Sequence, residues 1–355
     1  MPEPLRLIQV GAGGMGRAWL RTIATSDDVV LAGLVDLDLE VARSAVTGEV
    51  PVARSLDELA VEADAVIDVT VPAAHPTVSI AALLRGLPVL CEKPLAETVR
   101  ECLPMVAASE VSGKLLMVSQ SRRYFRVGTA FGRQLAELGP VGTLTCEFFK
   151  APHFSGFRER MAEPLLVDMA IHQFDLARKL IGAEPVSVYC DSYNPDWSWF
   201  DGHAAANALF TFADGTRFSF TGSWCAPGQE TSWNGRWRAV TAAGTATWDG
   251  DNPPVSEGLG AELPDEPEEI AGSLAEFVEA VRSGGTPQSE VHSNLVSVAM
   301  VEAAVRSAAL GVPVLIADVV SDAFTQALDT VQQPELLAAL KAWEDDLPFP
   351  LDPPG

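Results

Sequence analysis

The stretch that most constrains this chain lies near its start. Leu5-Arg6-Leu7-Ile8-Gln9-Val10 runs directly into Gly11-Ala12-Gly13-Gly14-Met15-Gly16, and a helical pattern from Arg17 to Ala24 follows at once. Strand, glycine turn and helix in this order form the phosphate-binding unit of dinucleotide sites. Gly11 makes the tight turn, Gly13 lets a pyrophosphate approach the backbone, and Gly16 lets helix and strand pack closely. Gly14 and Met15 open the helix, whose free N–H groups face the phosphates. The same glycine spacing also occurs in ordinary βα turns, so the residues around it matter. Val29 to Val35 reads as a second strand ending at Asp36, twenty residues after Gly16. A carboxylate there would accept from both ribose hydroxyls of an adenosine; the alternative is a helix cap or turn residue.

Charge narrows the partners. The chain carries 24 Lys plus Arg against 48 Asp plus Glu, a formal net charge of −24. A polyanionic partner, nucleic acid or membrane surface, is therefore not expected. The five cysteines are scattered and contain no CxxC, which excludes a disulfide framework and a zinc site as readings; no metal is expected. The start Met1-Pro2-Glu3-Pro4 lacks a basic, then apolar leader, and no run approaches a membrane span. A cytoplasmic location is the expectation.

To about residue 121 the chain alternates strand and helix. Ser55-Leu56-Asp57-Glu58 and Thr98-Val99-Arg100-Glu101 read as capping boxes. Pro76 opens a helix closed by Gly86. Repeated βα units imply a parallel sheet with helices on both faces, and its ligands bind at the carboxyl ends of the strands. Gly11, Asp36, Thr70 and Lys93 all fall just past strand ends. After residue 121 the rhythm changes. A long helix is expected from Pro164 to Leu180, and strands follow whose apolar residues alternate, as in Phe210 and Phe212, then Phe218 and Phe220, around the turn Ala213-Asp214-Gly215-Thr216. The expected fold is α/β: a dinucleotide-binding domain over 1–121, an α+β domain with a large, mainly antiparallel open sheet over 122–317, and a helical extension and tail over 318–355.

Two constellations carry chemistry. Glu92-Lys93-Pro94 follows a strand on the cofactor rim, and proline restricts the backbone on both sides of the bond, which fixes the lysine's direction. A lysine there can donate to a substrate hydroxyl; alone, the tripeptide is equally an exposed turn. Asp168 and His172 stand four residues apart in a strongly apolar helix. A buried carboxylate and imidazole are either a satisfied core pair or a proton-transfer pair acting on an alcohol. Asp175 reads as structural. Six of the eight tryptophans lie between residues 197 and 248, and indole faces stack on the C–H faces of sugars; each equally fits a sheet core or an interface.

The glycine turn, Thr70-Val71-Pro72-Ala73-Ala74-His75, Glu92-Lys93-Pro94 and Asp168-x-x-x-His172, in this order, resemble the glucose–fructose oxidoreductase, inositol dehydrogenase and rhizopine catabolism (Gfo/Idh/MocA) family over residues 5 to about 316. The resemblance implies an N-terminal Rossmann domain, a C-terminal domain whose open sheet makes homodimer or homotetramer contacts, and oxidation of a secondary hydroxyl of a sugar, cyclitol or related polyol. It implies Lys93, Asp168 and His172 as the catalytic set, with Lys93 bonding either the substrate oxygen or the cofactor ribose, Thr70, Pro72, His75 and Glu92 beside the nicotinamide, and Arg123 near the substrate, where Trp197 and Trp199 are further candidates. The chain departs from the family where glycines usually precede the aspartate: it has Ala162-Glu163-Pro164-Leu165, and Ala170 between Asp168 and His172. Asp36 and Asp38 would repel a 2′-phosphate, so NAD is expected in preference to NADP. The expected reaction is NAD-dependent oxidation of a small carbohydrate or polyol. The alternatives are redox-neutral glycoside cleavage with transient NAD reduction, and a non-catalytic dinucleotide or sugar sensor.

Overall fold

A computed structural model of the chain describes residues 3–343 and 347–349. The chain divides into two compact units. The first comprises Met1–Ser121, Pro267–Leu295 and Ala323–Pro348, the second Arg122–Glu266, Val296–Asp322 and Phe349–Gly355.

In the first unit, β1 (Leu5–Val10), α1 (Gly14–Ala24), β2 (Val29–Val35), α2 (Leu39–Ala45), β3 (Val52–Ala53), β4 (Ala65–Asp68), α3 (His75–Leu84), β5 (Val89–Glu92), α4 (Val99–Ser112) and β6 (Leu116–Ser119) alternate as expected. The six strands form one parallel sheet in the order β3-β2-β1-β4-β5-β6. The order reverses beside β1, so the glycine turn and the ends of β2 and β4 meet at the switch point where such sheets take ligands. The Thr98 box forms fully: Glu101 N–H donates to Thr98 Oγ1 (3.3 Å) and Thr98 N–H to Glu101 Oε2 (3.1 Å). The Ser55 box makes only the N–H bond from Glu58 to Ser55 Oγ (3.4 Å) and opens no helix; a turn follows. A cap satisfies one end of a helix but does not supply the apolar face that holds it down.

The second unit holds α5 (Arg126–Leu138), β7 (Val141–Phe149), α6 (Ile171–Ile181), β8 (Pro185–Tyr193), β9 (Ala205–Phe212), β10 (Arg217–Ser223), β11 (Arg236–Thr241), β12 (Thr245–Trp248) and β13 (Val255–Ser256). After these come α7 (Glu269–Ser283), α8 (Val291–Leu310), β14 (Val314–Leu315), α9 (Ile316–Thr330) and α10 (Pro334–Ala342). The eight-stranded sheet runs β13-β12-β11-β7-β10-β9-β8-β14; only the β10–β7 pair is parallel. Its apolar face buries Phe210, Phe212, Phe218 and Phe220. Phe174 of α6 meets Phe210 and Phe220 edge-on, with ring centroids 4.7 and 5.4 Å away. The other face leaves Tyr189, Leu209 and Val240 exposed.

The chain does not divide at residues 121 and 317 alone. Pro267–Leu295 and Ala323–Pro348 return to the first unit, so α7 and α10 belong to it, while α8 and α9 run from one unit into the other. The expected extension over 318–355 is thus shared between the two units, and the part of the tail beyond Phe349 lies outside the described residues. α10 packs on α4, and the link is polar as well as apolar. Trp343 Nε1–H donates to Glu110 Oε2 (3.0 Å), while His292 stands between Glu110 Oε1 (2.9 Å) and Glu290 Oε1 (2.7 Å). Burial opposes charging of His292, but the two carboxylates win and raise it to about 9. Its folded value lies above the free value of 6.5, so its contribution is complete below pH 6.5 and is lost as pH rises through 9. After discounting for solvent screening, about 1 kcal/mol should be lost between pH 7 and 10. Thermal melts of wild type and His292→Gln at both pH values check this: the alkaline decline should shrink in the variant.

Candidate active site

The glycine turn carries the geometry its residues imply. Gly11 has φ +100°, and a Cβ there would meet Val69 O at 2.4 Å. A Cβ on Gly16 would meet Gly11 O at 2.3 Å. Both glycines are therefore required by the fold of the turn itself. Gln9, the polar residue inside β1, locks that turn: its side-chain amide donates to Gly11 O (2.7 Å) and Gly16 O (2.9 Å). Gly13 differs, because a Cβ there would meet nothing within 4 Å. It faces open space, as a backbone that receives a phosphate should.

That space is a cavity of about 860 Å³, lined by Gly11, Gly13, Gly14, Met15, Asp36 and Thr70 among the expected residues. The size suits a dinucleotide-class ligand. Asp36 accepts Ala12 N–H at Oδ2 (2.8 Å) and Asp38 N–H at Oδ1 (2.9 Å), which fixes its carboxylate at the cavity wall with lone pairs remaining. Asp38 is the N-cap of α2, accepting from Glu40 and Val41 N–H. No sequence motif marks the far wall. Leu37, Arg54, Leu56, Val78, Ala81 and Arg85 also line the cavity, and Arg85 pairs with Asp57 at its edge. These residues come from loops and one helix flank with no motif to mark them.

Of the residues expected beside a nicotinamide, His75 and Glu92 are bonded into the rim and Pro72 stands outside the lining of this cavity. His75 is fully buried, its ring nitrogens 2.9 Å from Pro94 O and 3.1 Å from Thr70 O. It clamps the turn after β4 to the Lys93–Pro94 turn after β5, where the peptide bond is cis. Glu92 is buried and accepts Trp19 Nε1–H (2.8 Å) at one oxygen and Lys93 N–H (3.0 Å) at the other. Burial pushes its carboxyl up, against those two bonds. Pro72 sits in the short 3₁₀ turn Pro72–Ala74 and does not line the cavity. Asp68, the last residue of β4, is the hub beneath the rim. It accepts from Thr70 Oγ1 (2.7 Å) and Ser79 Oγ (2.9 Å), and burial raises its carboxyl against these bonds. A carboxylate inside an apolar strand was the available signal. Lys93, half-buried, follows β5 directly.

In the second unit, the expected helix from Pro164 to Leu180 is two pieces. Leu165–Ala170 is a π turn, and α6 begins at Ile171. Asp168 lies in the π turn and His172, buried, is the second residue of α6. Such turns are rare and recur at functional sites. Asp168 is 17% exposed and accepts Arg158 Nε–H at 2.6 Å. Arg123, expected near the substrate, is paired within its own unit. It is 7% exposed and makes a two-bond pair with Asp175, Nε to Oδ2 at 2.7 Å and Nη2 to Oδ1 at 2.8 Å. A buried guanidinium needs a buried carboxylate, and Asp175 on α6 supplies it. Trp197 is largely exposed and donates to Cys225 O (2.8 Å), while Trp199 donates to Pro152 O (3.2 Å) and stacks on His153 at 4.0 Å. Trp199 thus stands against the loop that carries Arg158. Among the described residues no cluster of metal-binding side chains occurs, and no helix is long and apolar enough to cross a membrane.

The chain is similar to known proteins along most of its length. Residues 5–120 match the family model described as an oxidoreductase family with an NAD-binding Rossmann fold, and residues 135–247 match the C-terminal domain model of the same family. A Sinorhizobium fredii protein named y4oX is 28% identical over 341 residues, covering 87% of this chain and 95% of its own. The inositol 2-dehydrogenase of an Arthrobacter species is 33% identical over 197 residues, 53% of this chain and 57% of the relative, so this chain spans little more than half of that enzyme. The crystal structure of an Agrobacterium radiobacter oxidoreductase, in complex with NAD+, L-tartaric acid and magnesium, superposes with a TM-score of 0.79 at 19% identity, covering 89% of this chain and 99% of that one. The open Gly13 backbone, the cavity at the switch point and the fixed Asp36 fit the cofactor of that fold. With its two domain models matched in order, the chain belongs to the Gfo/Idh/MocA oxidoreductase family and carries that family's NAD-binding Rossmann fold.

Proposed function

We propose that this protein oxidises a secondary hydroxyl of a sugar, cyclitol or related polyol with NAD, and that Lys93, Asp168 and His172 act on that hydroxyl. Bound in the first unit's cavity, NAD supplies the hydride acceptor. His172 takes the hydroxyl proton as the carbinol carbon gives up its hydride, so that the C–O bond becomes a carbonyl. Lys93 donates to the same oxygen, and Asp168 polarises the site. The observation that carries this reading is Asp168 on a π turn with buried His172 in the first turn of the helix that follows, in a chain whose other unit is an NAD-binding Rossmann fold. Incubation with NAD and a panel of sugars and polyols should accumulate NADH. Cleavage of an aryl glycoside without net NADH would replace the dehydrogenase reading with the redox-neutral one.

NAD in preference to NADP rests on Asp36. Asp36→Ala should raise the KM for NAD about tenfold and narrow the gap to NADP, because a ribose acceptor is lost and a repulsive charge removed. Tighter binding of NADP than NAD by the wild type, measured by titration calorimetry, overturns this. The reading also includes a homodimer or homotetramer through the open face of the eight-stranded sheet, supported by exposed Tyr189, Leu209 and Val240. A cytoplasmic location is supported by the five cysteines, all buried and unbridged. Sedimentation equilibrium tests the assembly.

A further inference from the structure

Among the described residues of the second unit, two buried arginines hold carboxylates side-on, and the more exposed Arg158 is paired differently. Arg123 grips Asp175 with Nε and Nη2, and Arg178 grips Glu184 the same way, Nε to Oε2 at 2.9 Å and Nη2 to Oε1 at 2.8 Å. Both pairs use the side-on fork that satisfies a carboxylate fully. Arg158 instead gives Asp168 only its Nε–H, at 2.6 Å. Among the described residues nothing else accepts from its Nη1 or Nη2. Its guanidinium carbon lies 4.9 Å from the Phe157 ring centroid and 5.4 Å from that of Phe154, so two aromatic rings flank it. The side chain is 39% exposed, more than the 17% of Asp168, and Phe157 beside it is 60% exposed. A guanidinium anchored through Nε thus offers an open two-nitrogen fork next to a carboxylate assigned to the reaction.

We infer that the substrate carries a carboxylate, as in an aldonic or uronic acid, and that Arg158 is the specificity residue that reads it with its Nη fork. The inference rests on the reading that Asp168 stands beside the reacting hydroxyl. Planar, two-point recognition of a carboxylate is what a guanidinium end provides and a lysine does not. The arrangement also answers an electrostatic problem. The chain carries a net charge of −24, and Asp168 alone would repel an anion at the place where it must bind. Arg158 cancels that charge through Nε and still leaves the fork for the substrate. The neighbouring Glu159 does not undo this, because its Oε1 is turned back to accept Ser155 N–H (3.0 Å). The chemistry balances as above: the carbinol gives a hydride to NAD and a proton to His172, and the carboxylate is unchanged.

The test pairs substrates that differ only at the terminal group, D-gluconate with D-glucitol and D-galacturonate with D-galactose. NADH formation is followed on the full chain, and binding is followed by titration calorimetry with and without NAD. Wild type should bind and turn over the acid of at least one pair more efficiently than its neutral partner. Arg158→Lys and Arg158→Gln, at unchanged melting temperature, should lower kcat/KM and affinity for that acid about 10- to 100-fold, mainly through KM, and the neutral partner's values less than about threefold. Arg158→Lys tests the fork with charge retained. NADH formation from neutral members with no preference for the acids, or an equal loss of kcat on both in Arg158→Gln, overturns the inference and leaves the dehydrogenase reading standing. Absence of both NADH formation and calorimetric binding across the panel overturns both.

Discussion

Lys93→Ala and His172→Ala should each lower kcat about 10²- to 10⁴-fold, the range in which a positioned proton-transfer group contributes. NAD affinity should stay within a few-fold of wild type, because neither side chain lines the cavity that holds Gly13 and Asp36. This separation is the diagnostic part: a variant that merely misfolds the rim loses both. Lys93→Arg keeps the charge but places it on a larger, planar group, and should recover little activity. Asp168→Asn should fall in the same range with an additional cost, since it leaves Arg158 facing a neutral amide. Steady-state kinetics on whichever polyol or sugar acid yields NADH, with calorimetric NAD titrations beside them, make the comparison. Unchanged turnover in Lys93→Ala or His172→Ala would remove that residue from the mechanism.

Asp175→Asn should destabilise the protein by about 3–5 kcal/mol, with a fall in Tm of roughly 10 °C, because it strands a buried cation. Arg123 is 7% exposed and Asp175 1%, and Asp175 Oδ1 also accepts Ser297 Oγ–H at 2.8 Å. Burial alone would raise the Asp175 carboxyl. The charges of Arg123 and Arg178, with the hydrogen bonds from Arg123 and Ser297, more than offset it and hold it below its usual range. A depressed folded value means that this contribution is present above the unfolded value near 4 and is lost as pH falls through the folded one. Wild type should therefore lose stability on acidification below about pH 4 more steeply than Asp175→Asn. The double substitution Arg123→Met with Asp175→Leu should recover part of the loss, since removing both charges leaves neither uncompensated. Chemical denaturation across the four proteins measures each of these differences.

Much of the first unit could be read from the chain because its signals are local. A glycine at φ +100°, a Thr98–Glu101 box and a proline at a helix start each act within a few residues of themselves. Asp36 was legible for a related reason: once strand, turn and helix are fixed, the end of the next strand has only one place to go. The candidate site was legible in part. Lys93, Asp168 and His172 stood out as polar residues in settings that should be apolar or tightly turned. His75 and Glu92 stood out the same way, yet both are used inward. No feature of the sequence distinguishes a histidine that faces a ligand from one placed between the carbonyls of Thr70 and Pro94.

The glycine turn, the alternating rhythm of the parallel sheet, the apolar face of the second sheet and the family can all be read along the chain, because backbone sterics and side-chain periodicity act over short spans. Which polar groups meet depends on the folded chain. Arg123 finds Asp175 from 52 residues away, Trp343 finds Glu110 from 233, and Arg158 reaches Asp168 across an irregular loop. These pairings follow from where the chain returns after a long excursion, and a carboxylate's worth in a dry interior depends wholly on which cation that return brings beside it.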